Sequence, residues 1–147
     1  MVDFWSTTLT IALGGTGWLI TSFFGRPYMQ FHDLRSDVVQ KSVLYDNVRG
    51  SAEERESDGY RSYVDLTEAV LDRLREAQTE FRNLAARMRA FALNEPVTVR
   101  FVRLWHYDPL EASAALVAVS NTIDAHGPSR ANAKKKLEQV LRFRTVV

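Results

Sequence analysis

Apolar and polar positions divide the chain into one uncharged N-terminal stretch followed by several amphipathic segments. From Phe4 to Gly25, FWSTTLTIALGGTGWLITSFFG, 22 residues pass without a charged side chain. At about 1.5 Å of rise per residue such a helix reaches roughly 33 Å, enough for a hydrocarbon core of about 30 Å. A single transmembrane helix is therefore expected, closed by Asp3 at one end and Arg26 at the other. Five Thr, two Ser and four Gly make the stretch only mildly hydrophobic. Thr and Ser hydroxyls bond back to the preceding turn, however, and Gly is commoner in membrane helices than in soluble ones. A secretory leader fits less well, because Asp3 is the only charged side chain before the run and its far end is bulky Phe23-Phe24.

Beyond the span the period changes little but the polarity does. Gly25-Arg26-Pro27 predicts a break at the membrane surface, with Pro27 suited to the first turn of a new helix. Phe31, Leu34, Val38, Ser42 and Tyr45 then step at helical spacing and predict a juxtamembrane helix to about Val48. The polar run RGSAEERESDG, from Arg49 to Gly59, reads as an exposed connection. Tyr63, Leu66, Val70, Leu74, Ala77, Phe81, Leu84, Met88 and Phe91 alternate threes and fours, and predict a long helix ending at Asn94 and Pro96, which are also expected to cap the next helix.

Val97 to Trp105 alternates like a strand at first and then loses that period, so a short helix is expected. Asp108-Pro109-Leu110-Glu111 is a helix start, with Asp108 at the N-cap and Pro109 at the first position. The helix it opens, LEASAALVAVSNTIDA, is apolar nearly all round and should lie centrally; within it a buried Asn121 would need backbone partners. Gly127-Pro128 stops it, and Ser129 is the expected cap of a last helix. That helix would turn Ala133, Leu137, Val140 and Leu141 inward and Lys134, Lys135 and Arg142 outward. The expected fold is all-α: a membrane anchor over 1–26, a juxtamembrane helix and acidic connection over 27–58, and a helical domain over 59–147. The soluble part would form a bundle of four or five helices.

Small residues recur at steps of three and four through the span: Thr10, Gly14, Gly17 and Thr21 form one stripe. In lipid such a stripe lets a second helix approach closely, so it is the candidate contact face toward other membrane-protein helices or a second copy. Trp5, Arg26 and Tyr28 suit the two interfaces. Arg26, Arg35, Lys41 and Arg49 follow the span, whereas no basic side chain precedes it, which puts the N-terminus outside and the domain in the cytosol.

Charge changes the picture in one respect. The net charge is +1, yet residues 51–80 carry four basic and nine acidic side chains while 81–147 carry eleven basic and five acidic. A basic group including Arg130, Lys134, Lys135, Lys136, Arg142 and Arg144 is expected to pair with the acidic helix, with anionic lipid as the other candidate partner and no nucleic acid. Zero cysteines exclude disulfides, thiolate metal sites and cysteine nucleophiles.

Catalytic signals are sparse. His32-Asp33 is a two-residue match to the metal ligands of helical phosphohydrolases and lacks the additional ligands such a centre needs. His106 has a structural account at a helix end beside Asp108, and His126 another beside Gly127. Asp65, Glu68, Asp72, Glu76 and Glu80 line one helix side together with arginines, as a solvated face does. No phosphate loop, nucleophile elbow or zinc-protease motif occurs. No catalytic residue, cofactor or metal is expected.

FFGRPYMQFHDLR after the span, a long helix, and then LWHYDPLEASAALVAVSNTID together resemble uncharacterised bacterial proteins with one N-terminal span and a helical cytosolic domain. The resemblance implies that architecture and a bacterial inner membrane, and implies no chemistry. The leading expectation is a non-enzymatic, single-pass interaction protein or accessory subunit of a membrane assembly. A tethered ligand sensor or hydrolase, using His32 or the Asp65–Glu80 side, is the alternative, and a small pore is a third.

Overall fold

The computed structural model describes residues 13–18, 21–48, 68–124 and 128–143. Residues 13–18 are helical, and a π-type turn over Thr21–Gly25 leads into α1, Arg26–Leu44. Four further helices follow: α2, Glu68–Asn94; α3, Pro96–Leu104; α4, Pro109–Thr122; and α5, Pro128–Leu141. No strand occurs among the described residues.

Cross-links between helices give the topology. Phe31 meets Phe91, Asp37 pairs with Arg87, Lys41 with Glu80, and Tyr45 with Glu76, so α1 and α2 run antiparallel. The Ser113 hydroxyl donates to the Ala85 carbonyl and the Ser120 hydroxyl to that of Gln78, so α4 is antiparallel to α2 as well. Lys136 pairs with Glu111, and Arg130 donates to the Ile123 carbonyl, which sets α5 antiparallel to α4. Arg35 reaches the end of α5 while Arg130 reaches the end of α1, closing the circuit. The four long helices thus form an up-down-up-down bundle, and the short α3 crosses one end of it.

The core follows the sequence periods. Phe31, Leu34, Val38 and Tyr45 of the first stripe are buried, as are Ala77, Phe81, Leu84, Met88 and Phe91 of the second. Leu116, Ile123, Leu137 and Leu141 complete the interior from the other side. The segment around Val97 is a helix, and Asp108 is the cap of α4: its Oδ1 accepts from the N–H groups of Leu110 at 3.0 Å and Glu111 at 3.1 Å. Glu111 does not reach back in a reciprocal box; its carboxylate pairs with Lys136.

Four local expectations are corrected. The backbone does not break at Gly25-Arg26-Pro27, because Gly25 is right-handed helical and the preceding turn is π-type. A widened turn gives room where Pro27 lacks an N–H and its ring would crowd the carbonyl four residues back. The position before Pro96 is capped by neither Asn94 nor a side-chain bond from Glu95. Ser129 falls inside α5, which begins at Pro128. Asn121 is exposed, with its Oδ1 accepting from Arg82 at 3.4 Å, whereas Ser113 and Ser120 are the buried polar groups that bond to backbone.

Arginines close the helix ends that the sequence left open. The last carbonyls of a helix have no partner within it, and they carry the negative end of its dipole. The Arg130 guanidinium donates to the carbonyls of Val48 at 2.7 Å, Asp46 at 3.2 Å, Tyr45 at 3.3 Å and Ile123 at 3.3 Å, gathering the ends of α1 and α4. Arg35 donates to the carbonyls of Leu141 and Arg142 at the end of α5, and Arg142 to that of Trp105 at the end of α3. Helices α3 and α5 also end in matching left-handed turns, with His106 at φ 64° and Arg142 at φ 50°. In each turn two N–H groups fold back onto carbonyls of the last helical turn, His106 to Arg103 and Tyr107 to Val102, Arg142 to Gln139 and Phe143 to Glu138.

Candidate membrane-facing site

One end of the bundle gathers the start of α1, the end of α2, α3, the start of α4 and the end of α5. It is also the end adjoined by residues 21–25, with residues 13–18 preceding them in the chain. Short α3 is amphipathic in an unusual sense, since it is apolar on two faces. Thr98, Val99 and Val102 are buried against the bundle. Val97, Phe101, Leu104 and Trp105 step at i, i+4, i+7 and i+8 along the opposite face, and they are 42–74% exposed. Tyr28 ties this face to α1: its ring centroid lies 6.0 Å from that of Phe101 and 6.2 Å from that of Trp105, edge-on in both cases.

Leu93 at the end of α2 and Leu110 at the start of α4 are exposed at the same end. Leu13, Trp18, Phe24 and Met29 continue the apolar surface along the entering helix. Among the described residues, every exposed large apolar side chain except Val43, Leu44 and Val117 lies on this end or on that helix. Arg26, Arg100 and Arg103 sit among them, exposed, with Arg103 paired to Asp108 at 3.0 Å. Scattered exposed apolar residues are ordinary; a contiguous group of them marks a contact surface.

The residues expected from sequence fall as follows. Thr10 and Trp5 lie outside the described residues. Gly14 and Gly17 are exposed, and a Cβ at either would meet nothing within 4 Å, so their side of the helix is open to a neighbour. The Thr21 hydroxyl donates to the Gly17 carbonyl at 2.9 Å and that of Thr16 to Leu13 at 3.1 Å, the back-bonding expected of hydroxyls in this stretch. Of the span from Phe4 to Gly25, residues 4–12, 19 and 20 lie outside the described residues. Among the described residues no helix is long and apolar enough to cross a membrane.

Lys134, Lys135 and Lys136 do not act as one patch. Lys134 pairs with Asp46 and Lys136 with Glu111 at 3.3 Å, while Lys135 borders an open groove beside His106 and Asn132. The charges of Lys134 and Lys136 are thus met from the turn after α1 and from α4 rather than from the described part of the acidic stretch. That part is occupied elsewhere: Glu80 holds Lys41 at 2.9 Å, Glu76 accepts from the Tyr45 hydroxyl at 3.1 Å, and Asp72 pairs with Arg75. The Glu80 hydrogen bond raises the Lys41 pKa, against a smaller opposing effect of burial. Burial, and then the Glu76 bond, raises that of Tyr45.

The two described histidines, His32 and His106, have different surroundings. His32 packs edge-on to Tyr28 at 4.5 Å and against Phe31 and Tyr107, and its buried Nε2 has no hydrogen-bond partner among the described residues. His106 borders the groove with Asp108, Glu111 and the α5 lysines, and His126 lies outside the described residues. Both groove carboxylates are engaged. Burial pushes the Asp108 carboxyl up, but the Glu111 N–H, the Arg103 guanidinium and the Leu110 N–H outweigh it and hold the group below the ordinary carboxylate range. Glu111 is held by Lys136. Among the described residues no three His, Asp or Glu side chains are grouped to hold a metal ion.

Protein-family models, curated proteins and solved structures were compared with the chain, and none matches. The exposed face of α3 is what sequence reading missed. Its signal was the i, i+4, i+7, i+8 series from Val97, masked because the buried Val99 and Val102 interrupt it.

Proposed function

We propose that this is a non-enzymatic protein of a bacterial inner membrane, anchored by one N-terminal helix with its bundle in the cytosol, serving as an interaction module or accessory subunit of a membrane assembly. The observation that carries this reading is the uncharged run from Phe4 to Gly25, whose described part keeps Leu13, Trp18 and Phe24 exposed and leaves Gly14 and Gly17 unobstructed. Water is a poor solvent for that surface, and lipid or another helix is a good one. Polar side chains of the bundle are engaged in holding it together: Asp108 and Arg130 close helix ends, and Lys41 pairs with Glu80.

The partner face is tested by replacing Gly14 and Gly17 with Leu in the full chain and recovering it from native membranes in mild detergent. Loss of co-purifying membrane proteins, or of the self-associated species, with unchanged membrane retention is the expected result. Unaltered recovery of the same partners would rule out this stripe as the contact.

A further inference from the structure

We infer that α3 is an interfacial helix that lays the near end of the bundle on the anionic cytosolic leaflet, giving the protein a second lipid contact besides its anchor. The inference rests on the anchoring proposed above and adds the pose of the domain. A short helix that buries one apolar face in its own domain has no structural use for a second. Nevertheless α3 carries Val97, Phe101, Leu104 and Trp105 outward, with Leu104 74% exposed and Trp105 52% exposed. These residues are not remote from the entry point of the chain. Tyr28, two residues beyond Arg26, is in edge contact with both Phe101 and Trp105, so any bilayer that holds residues 4–25 ends beside this face.

Composition selects lipid over a protein partner. Aromatic side chains with a polar edge, here Tyr28 and Trp105, favour the headgroup boundary, where ring and polar edge are both solvated. Arg26, Arg100 and Arg103 are exposed around them, and basic side chains near an anionic leaflet are attracted to it. On the helical wheel Arg100 and Arg103 fall to one side of the Val97–Phe101–Leu104 stripe, so their long stems can reach headgroups while the stripe sits among acyl chains. Of the two acidic residues that flank α3, Asp108 is neutralised by Arg103 and by the α4 N-terminus, which leaves Glu95 at the N-cap outnumbered by Arg26 and Arg100.

The chain holds three tryptophans, Trp5, Trp18 and Trp105, which makes the test direct. Full-length protein carrying W5F and W18F, reconstituted into phosphatidylcholine–phosphatidylglycerol vesicles, reports on Trp105 alone. With acyl chains brominated near the headgroup, Trp105 is expected to lose about half of its emission, as for a ring about 5–10 Å into the boundary. Adding L104E should restore most of that emission while the helical signal in circular dichroism stays unchanged. A parallel W5F/W105F chain reports on Trp18 and thereby on the anchor. Quenching of Trp18 without quenching of Trp105 would overturn the interfacial role of α3 and leave the anchor standing. Quenching of neither would remove both. Trp105 shielded from aqueous acrylamide but untouched by brominated lipid would mean that protein covers α3, which also overturns the inference.

Discussion

Replacing Arg130 should unlock the far end of the bundle more than any other single surface change. Its guanidinium offers five donors, and here it meets four carbonyls from the ends of α1 and α4 at 2.7–3.3 Å. Arg130→Met keeps much of the aliphatic stem and removes the fork. A hydrogen bond to a charged group is worth about 1.5–3 kcal/mol when the partner is left dry, and a cation at a helix C-terminus about 0.3–1 kcal/mol more. Arg130 is half-buried, so water replaces part of what is lost. The sum expected is a destabilisation of about 2–3 kcal/mol, with Arg130→Lys recovering about half because a point charge cannot fork across two helix ends. With a urea dependence of about 1–2 kcal/mol per molar for a domain of this size, the midpoint should fall by about 1–3 M. The assay is urea unfolding of the detergent-solubilised full chain, followed by circular dichroism and by tryptophan emission, with exposed Arg89→Met as the control expected within about 0.5 kcal/mol of wild type. A loss below about 0.5 kcal/mol for Arg130→Met would refute the reasoning, because it would mean that water serves these carbonyls as well as the guanidinium does.

Other outcomes follow from the same structure. Asp108→Ala removes the cap of α4 and should cost about 1 kcal/mol. Because folding holds the Asp108 carboxyl below its ordinary value of 3.8, its contribution is complete above that pH and fades as the pH falls through the folded value, so the deficit of the variant should shrink in acid unfolding series. Lys41 and Tyr45 move the other way: folding raises both above 10.5 and 10.0, so they stabilise fully at lower pH and lose that contribution as the pH climbs through the folded values. Tyr45→Phe should therefore flatten the alkaline limb of stability against pH. Thr98 is 1% exposed and its hydroxyl oxygen has no partner among the described residues, so Thr98→Val should raise the melting temperature, a gain of about 1 kcal/mol. His106→Gly, relieving a left-handed non-glycine residue, should stabilise by about 0.5–1 kcal/mol in the same thermal assay.

Much of the fold was legible because its determinants are local. The step of threes and fours at Phe31, Leu34 and Val38, and again from Ala77 to Phe91, follows directly from the helical period, and Asp108-Pro109 states a helix start in two residues. The arginine closures were not legible. Arg130 lies 82 residues from Val48 and Arg35 106 from Leu141, and no local pattern distinguishes a guanidinium that will serve a distant helix end from one that will face water. The partners of the basic cluster were not legible either: opposite net charges of two segments suggested that they pair, and among the described residues Lys134 found Asp46 and Lys136 found Glu111. The outer face of α3 was hidden differently, since a nine-residue helix that is apolar on two sides shows no clean stripe.

The measurement that bears most directly on the whole account is alkaline carbonate extraction of membranes containing the full-length chain, with and without residues 4–25. The account predicts that the intact chain stays with the sedimented bilayer and that the shortened one is released. Release of the intact chain into the supernatant would contradict it.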